Sequence, residues 1–212
     1  MNLTKNIIFE IIAFLEKNIT TSTGFEILTL LKDVSLSKVN FMNTKPNFPP
    51  KDRALRSALS SINCKELYGI RDSISAALTS LKWNIDDGEF YDKNSQIGED
   101  YLLGNMNTEL IGPRNGIFQS NELRLGLFLL EENIFYKDHK HKAPELYVNL
   151  TEGTKWRFED LKWQDNNPGT IIYNEPFKVH AMKVGAHPFL SVWCWPKDST
   201  EKCILVPKPD WV

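Results

Sequence analysis

The chain has 212 residues, 42% hydrophobic and 25% charged, with a formal net charge of −2. That length and composition suit a globular protein with one substantial core. The near balance of 25 basic and 27 acidic side chains excludes the basic surplus of a nucleic-acid binder or a ligand of anionic membranes.

The first half reads as helical. Ile7, Ile8, Ile11, Ile12 and Leu15 recur at helical spacing. This segment is broken by Glu10, is too short to span a bilayer, and lacks the flanks of a signal peptide. Thr23 is placed to cap a second helix with Ile27, Leu30, Leu31 and Val34 on its apolar face. Asn40 to Pro50 is polar and proline-bearing, and reads as a loop. Helical spacing resumes with Leu55, Ala58 and Leu59, then Leu67, Ile70, Ile74, Ala77 and Leu81. Asn84 to Gly98 is acidic and turn-rich, a connector by composition. Cys64, Cys194 and Cys203 are few, odd in number and without CxxC spacing, which suits reduced thiols in a cytoplasmic protein. A Cys194–Cys203 bridge across a hairpin is the minor alternative.

From about Asn107 the pattern changes to short strands. The spacing predicts strands at 123–130, 134–138, 145–150, 154–158, 170–173, 179–184, 189–195 and 202–206, separated by Gly, Asn and Pro turns. Many short strands at such intervals indicate a barrel or sandwich. The expected fold class is therefore α+β, with N-terminal helices packed on a C-terminal β-barrel.

Four histidines are present, none before residue 139. His139 and His141 are two apart and share a strand face. Glu145 and Tyr147 share the face of the next strand, after a turn at Lys142–Pro144. His180 opens a later strand, so only closure of a barrel brings it to the others. An HxH pair alone is common. With Glu145 four residues on and His180 in a second β segment, a metal site outweighs chance. Three imidazoles and a carboxylate suit one divalent transition metal ion such as Fe, Mn, Co, Ni or Zn. His187 precedes Pro188 in a turn and is expected to be exposed and structural.

These residues resemble the first motif of the cupin superfamily, G(X)5HxH(X)3–4E(X)6G. The histidines and Glu145 match, Asn133 stands at the opening glycine, and Gly153 comes one residue late. Pro168–Gly169, Pro176 and His180 resemble the second motif without its final asparagine. A narrower resemblance is to the cupin-type dimethylsulfoniopropionate (DMSP) lyases. It is carried by Leu110-Ile-Gly-Pro113, Leu123-Arg-Leu-Gly-Leu127, Tyr136, Glu145-Leu-Tyr147, Trp156, His180-Ala-Met182 and Trp193-Cys-Trp195. The change of pattern near residue 105 divides the chain into a helical region over 1–105 and a β-barrel over 106–212, in one compact unit. The resemblance covers roughly residues 107–195 and implies that the barrel is a cupin (a double-stranded β-helix, or jelly roll). It also implies metal ligation by His139, His141, Glu145 and His180, with Tyr147 as catalytic base and Tyr136 as a second tyrosine facing the substrate. The implied partner is a small zwitterion, and homodimers are common among cupins.

The residue types suit that chemistry. β-Elimination from DMSP needs a base at the carbon next to the carboxylate, and a nearby cation makes that proton easier to remove. Tyrosine becomes a useful base only where a cation favours the phenolate. A sulfonium is attracted to aromatic faces, for which Tyr136, Trp156, Trp193 and Trp195 are candidates. Arg124 has two readings, a group that reaches a carboxylate or, preferred, a salt bridge on the barrel wall. Two competing readings of the same ligands are another metal-dependent cupin enzyme, such as a dioxygenase or isomerase, and a non-catalytic ligand-binding cupin.

Overall fold

A computed structural model describes residues 3–37, 39–40, 43–197 and 201–211. Five α-helices come first: α1 (Leu3–Asn18), α2 (Ser22–Asp33), α3 (Asp52–Ser61), α4 (Tyr68–Ala77) and the short α5 (Glu99–Gly104). Eleven strands follow: β1 (Asn105–Gly112), β2 (Phe118–Gln119), β3 (Arg124–Leu130), β4 (Phe135–Lys140), β5 (Glu145–Asn149), β6 (Thr154–Phe158), β7 (Gln164–Asp165), β8 (Ile171–Asn174), β9 (His180–Val184), β10 (Phe189–Trp195) and β11 (Ile204–Leu205). No described helix is long and apolar enough to cross a membrane.

The strands form two sheets, ordered β2-β1-β3-β10-β5-β8 and β11-β4-β9-β6-β7. Apart from the parallel β1–β2 pair, every neighbour is antiparallel. Side-chain alternation divides the molecule into two cores. Leu125, Leu127 and Leu129 of β3, Leu146 and Val148 of β5, and Leu190, Val192 and Cys194 of β10 point outward into one core with the helices. Phe128, Leu130, Tyr147 and Phe189 point the other way, into a second core between the sheets with Trp156, Met182 and Val184. The six-stranded sheet is thus covered on both faces. That is why β3 and β5 read as nearly continuous apolar runs. Each fully buried leucine or valine here contributes about 1.5–3 kcal/mol of transfer free energy.

On the helical side, α1 buries Ile7, Ile8, Ile11, Phe14 and Leu15. The cap of α2 is Thr21, whose hydroxyl accepts from Gly24 N at 3.1 Å, rather than Thr23. Thr21 has the extended backbone a cap needs, whereas Thr23 is already inside the helix. The apolar face of α2 is Ile27, Leu28 and Leu31, with Leu30 and Val34 only partly buried. β1 has no counterpart among the expected strands. Its sequence, Asn-Met-Asn-Thr-Glu-Leu-Ile-Gly, is broken by polar residues, yet seven of its eight positions are buried. Pairing with β3 supplies what local propensity does not.

At the opening-glycine position of the first motif, Asn133 has φ 64°, and Gly153 has φ 82°. Asparagine tolerates this left-handed conformation, so the substitution preserves the turn. The three cysteines are free. Cys194 lies in the helical core and Cys203 between the sheets, on opposite faces of the six-stranded sheet, which excludes the Cys194–Cys203 bridge. His187 is exposed, as expected.

Candidate metal centre and cavity

Three histidines meet between the sheets. One ring nitrogen from each of His139, His141 and His180 lies within 4.8 Å of the other two, and all three residues are buried. β4 and β9 pair with His139 opposite His180, so closure of the second sheet brings the late histidine to the early pair. The Nδ1 atoms face backbone carbonyls: His139 to Lys137 O at 2.8 Å, His141 to Ala143 O at 2.7 Å and His180 to Lys178 O at 3.0 Å. With each Nδ1–H donating, every Nε2 keeps its lone pair, the arrangement typical of metal-ligating histidines. His180 Nε2 is buried and has no hydrogen-bond partner. These features fit a divalent metal held by three imidazoles.

Glu145 stands beside the triad, with Oε2 3.2 Å from His141 Nε2 and 3.4 Å from His180 Nε2. Trp195 Nε1 donates to its Oε1 at 2.9 Å, and Asn174 Nδ2 to its Oε2 at 3.3 Å. Burial works against the charged carboxylate, but His141 and His180 outweigh it and hold Glu145 well below the usual carboxylate range. Burial also works against a charged His141, yet Glu145 lifts its pKa above the ordinary value. Burial, reinforced by His180 and His141, holds His139 well below the usual histidine range.

A cavity of about 300 Å³ opens onto this cluster. Tyr136, Tyr147, Trp193 and Trp195 line it, along with His139, His141 and Glu145. Trp193 and Trp195 therefore both face inward. Trp156 is placed differently. It is fully buried, lies outside the cavity lining, and packs edge-on against Tyr147 with ring centroids 5.1 Å apart. Burial, then the negative charge of Glu145, pushes the Tyr147 phenol well above its ordinary pKa.

The segment 84–98 lines the cavity, a role that its reading as an acidic, turn-rich connector missed. Asp86 and Phe90 line the cavity, and Tyr91 is buried under it. Tyr91 and Tyr136 share a hydrogen bond of 2.6 Å between their hydroxyls. Tyr101 donates to Asp86 at 2.7 Å and stacks on Tyr136 with centroids 4.5 Å apart. Cys203 N donates to Phe90 O at 2.7 Å and Lys202 Nζ to Tyr91 O at 2.6 Å, tying the connector to the last strand segment. The aromatic residues of 84–101 were the available signal, because a solvated connector has no use for Phe90, Tyr91 and Tyr101 together. Arg124 forms the expected salt bridge, to Glu109, and both residues line the cavity.

Comparison with known proteins shows the family and the fold. A family model described as dimethylsulfoniopropionate lyase matches residues 27–191. The dimethylsulfoniopropionate lyase DddQ of Ruegeria pomeroyi is 24% identical over 155 residues, 73% of each chain. A crystal structure from work on the DMSP lyases RdDddP and RnDddQII superposes with a TM-score of 0.73 at 16% identity, covering 97% of this chain and 98% of that one. The crystal structure of R. pomeroyi DddQ superposes with a TM-score of 0.67 at 22% identity, over 96% of each chain. At these identities the structural likeness shows the α+β fold.

Proposed function

The chain belongs to the dimethylsulfoniopropionate (DMSP) lyase family, and on that premise we propose that it cleaves DMSP to dimethyl sulfide and acrylate by β-elimination. The observation that carries this reading is the convergence of one ring nitrogen from each of His139, His141 and His180, with Glu145 beside the last two, at a cavity that Tyr147 lines. His139, His141 and His180, with Glu145, would hold one divalent ion from the set Fe, Mn, Co, Ni or Zn. Such an ion supplies positive charge beside the substrate carboxylate and the Tyr147 phenol.

The rest of the chemistry falls to the chain's own residues. The Tyr147 phenolate oxygen takes the proton from the carbon next to the carboxylate. The electron pair left there forms the double bond of acrylate as the carbon–sulfur bond breaks, and sulfur leaves with its bonding pair as neutral dimethyl sulfide. Proton removal is the difficult half, because dimethyl sulfide leaves readily from a sulfonium. Without a cation nearby, burial and Glu145 keep Tyr147 protonated, so the base role requires a loaded site. Tyr136 faces the cavity with its hydroxyl fixed by Tyr91. Phe90, Phe128, Trp193 and Trp195 give the cavity aromatic walls, a surface of the kind that attracts cations, with Arg124 already over Phe90, Trp193 and Trp195. The free cysteines agree with a reducing compartment such as the cytoplasm.

Anaerobic incubation of metal-reconstituted protein with DMSP tests the proposal. Dimethyl sulfide in the headspace and acrylate in solution at equal amounts are expected. No release with any of the five metals would turn the reading to another cupin reaction.

A further inference from the structure

Glu145 presents its two oxygens to different neighbours. Oε2 faces the histidines, 3.2 Å from His141 Nε2 and 3.4 Å from His180 Nε2. Oε1 accepts the indole N–H of Trp195 at 2.9 Å. Both residues are buried, and the acceptor is a charged carboxylate, so this hydrogen bond is of the strong kind. Strand register makes it. β10 runs beside β5 with Trp193 opposite Tyr147 and Cys194 opposite Leu146. One step further along, Trp195 meets Glu145.

The indole is held on its other sides as well. Arg124 lies opposite Trp195 on β3, and its guanidinium sits 5.2 Å from the indole centroid. Glu109 fixes that guanidinium at 2.6 Å. Phe90 packs edge-on at 6.3 Å and Trp193 at 5.8 Å, and the His141 imidazole lies 5.2 Å away. Gly126 leaves the space that Trp193 occupies, since a Cβ there would meet its indole at 2.7 Å. An indole gripped this way cannot follow the carboxylate if it turns. Turning Oε1 toward the imidazole nitrogens breaks the bond and leaves a buried N–H without a partner. A carboxylate can grip a divalent ion with one oxygen or with both. The second oxygen takes up a position that another ligand could hold. Trp195 thus stands where it decides between the two modes, a role independent of any cage around a sulfonium.

We propose that Trp195 is a positioning residue that confines Glu145 to a single oxygen, Oε2, toward the ion, and so keeps a coordination position free for the substrate carboxylate. This rests on the metal-dependent lyase reading and adds to it the residue that keeps the site open. The test uses protein loaded with cobalt(II), whose visible absorption reports coordination number, and acrylate as the carboxylate probe. Trp195→Phe removes the N–H and keeps an aromatic ring beside Arg124. Its cobalt content should match that of the parent protein, while its visible bands, recorded without acrylate, weaken as Oε1 joins the ion. Acrylate, followed through the same bands, should bind about tenfold or more weaker. Loss of a wall contact alone would leave the acrylate-free spectrum as it is. Identical acrylate-free spectra in the two proteins, or unchanged acrylate affinity, would therefore overturn the proposal. So would loss of cobalt from a folded variant, which would make the indole a holder of Glu145 rather than a limiter of it. If the variant does not fold, the unaltered cobalt protein decides. Its bands should shift on adding acrylate, and bands indifferent to acrylate would show that no position is open. Parent protein that binds cobalt and acrylate in this way but releases no dimethyl sulfide from DMSP would sink the lyase reading and leave this one standing.

Discussion

Tyr136 and His139 lie an odd number of residues apart on one strand, yet both rings face the cavity and stack with centroids 4.2 Å apart. In a regular strand they would point to opposite faces. The register between β4 and β9 shifts here: Tyr136 is opposite Met182 and His139 opposite His180, so an extra residue is taken up between them. This is a β-bulge, a device that re-aims side chains beside functional sites. The carbonyl of Lys137, inside the bulge, is the one that accepts from His139 Nδ1. The same irregularity therefore aims the tyrosine and orients the imidazole.

The bulge is fastened from outside. Asp138 is fully buried on the outer face of the sheet, takes Arg157 Nε at 3.0 Å on Oδ1, and accepts from Trp211 Nε1 at 2.9 Å. Arg157 also reaches Asp210, so the C-terminal turn is clasped to the sheet. Arg157→Met strands a buried carboxylate and is expected to cost about 3–5 kcal/mol of stability. Urea unfolding of metal-loaded protein measures it, and a loss below about 1 kcal/mol would show the clasp to be a surface ion pair of little consequence.

Replacing Tyr147 by Phe removes the phenol and keeps the ring that packs on Trp156. Metal content and melting temperature should stay close to those of the parent protein, while the lyase rate falls about 100- to 10,000-fold, the range for losing a general base. A variant with full metal and full rate would remove Tyr147 from the mechanism.

Metal binding should be coupled to one proton. His141 is raised above the ordinary histidine pKa because Glu145 outweighs its burial, whereas burial keeps His139 neutral. Below the raised pKa of His141 an incoming ion must displace its proton. Affinity should therefore climb about tenfold per pH unit up to that pKa and flatten above it. Metal titrations in buffers of different ionisation enthalpy count the protons released. A count near zero at mildly acidic pH would show that His141 enters the site already neutral.

Much of this protein was readable from short-range spacing. Period-two alternation put His139 with His141, and Glu145 with Tyr147, because residues two apart on a strand share a face whatever surrounds them. Helical spacing found the faces of α1, α3 and α4 for the same local reason. Other features depended on partners distant in the chain. β1 is polar in sequence and became a buried strand only through pairing with β3. The arrival of His180 opposite His139 required the second sheet to close. The bulge that turns Tyr136 inward arises from the register with β9, and alternation within β4 alone would have pointed that ring away. Asp86, Phe90 and Tyr91 looked like a connector because their role comes from the cavity they border. The amino-acid order determined which side chains could act together along one strand, since that follows from backbone geometry. Which strands met, and in what register, was decided by packing two cores on the faces of one sheet, an energy summed over the whole chain.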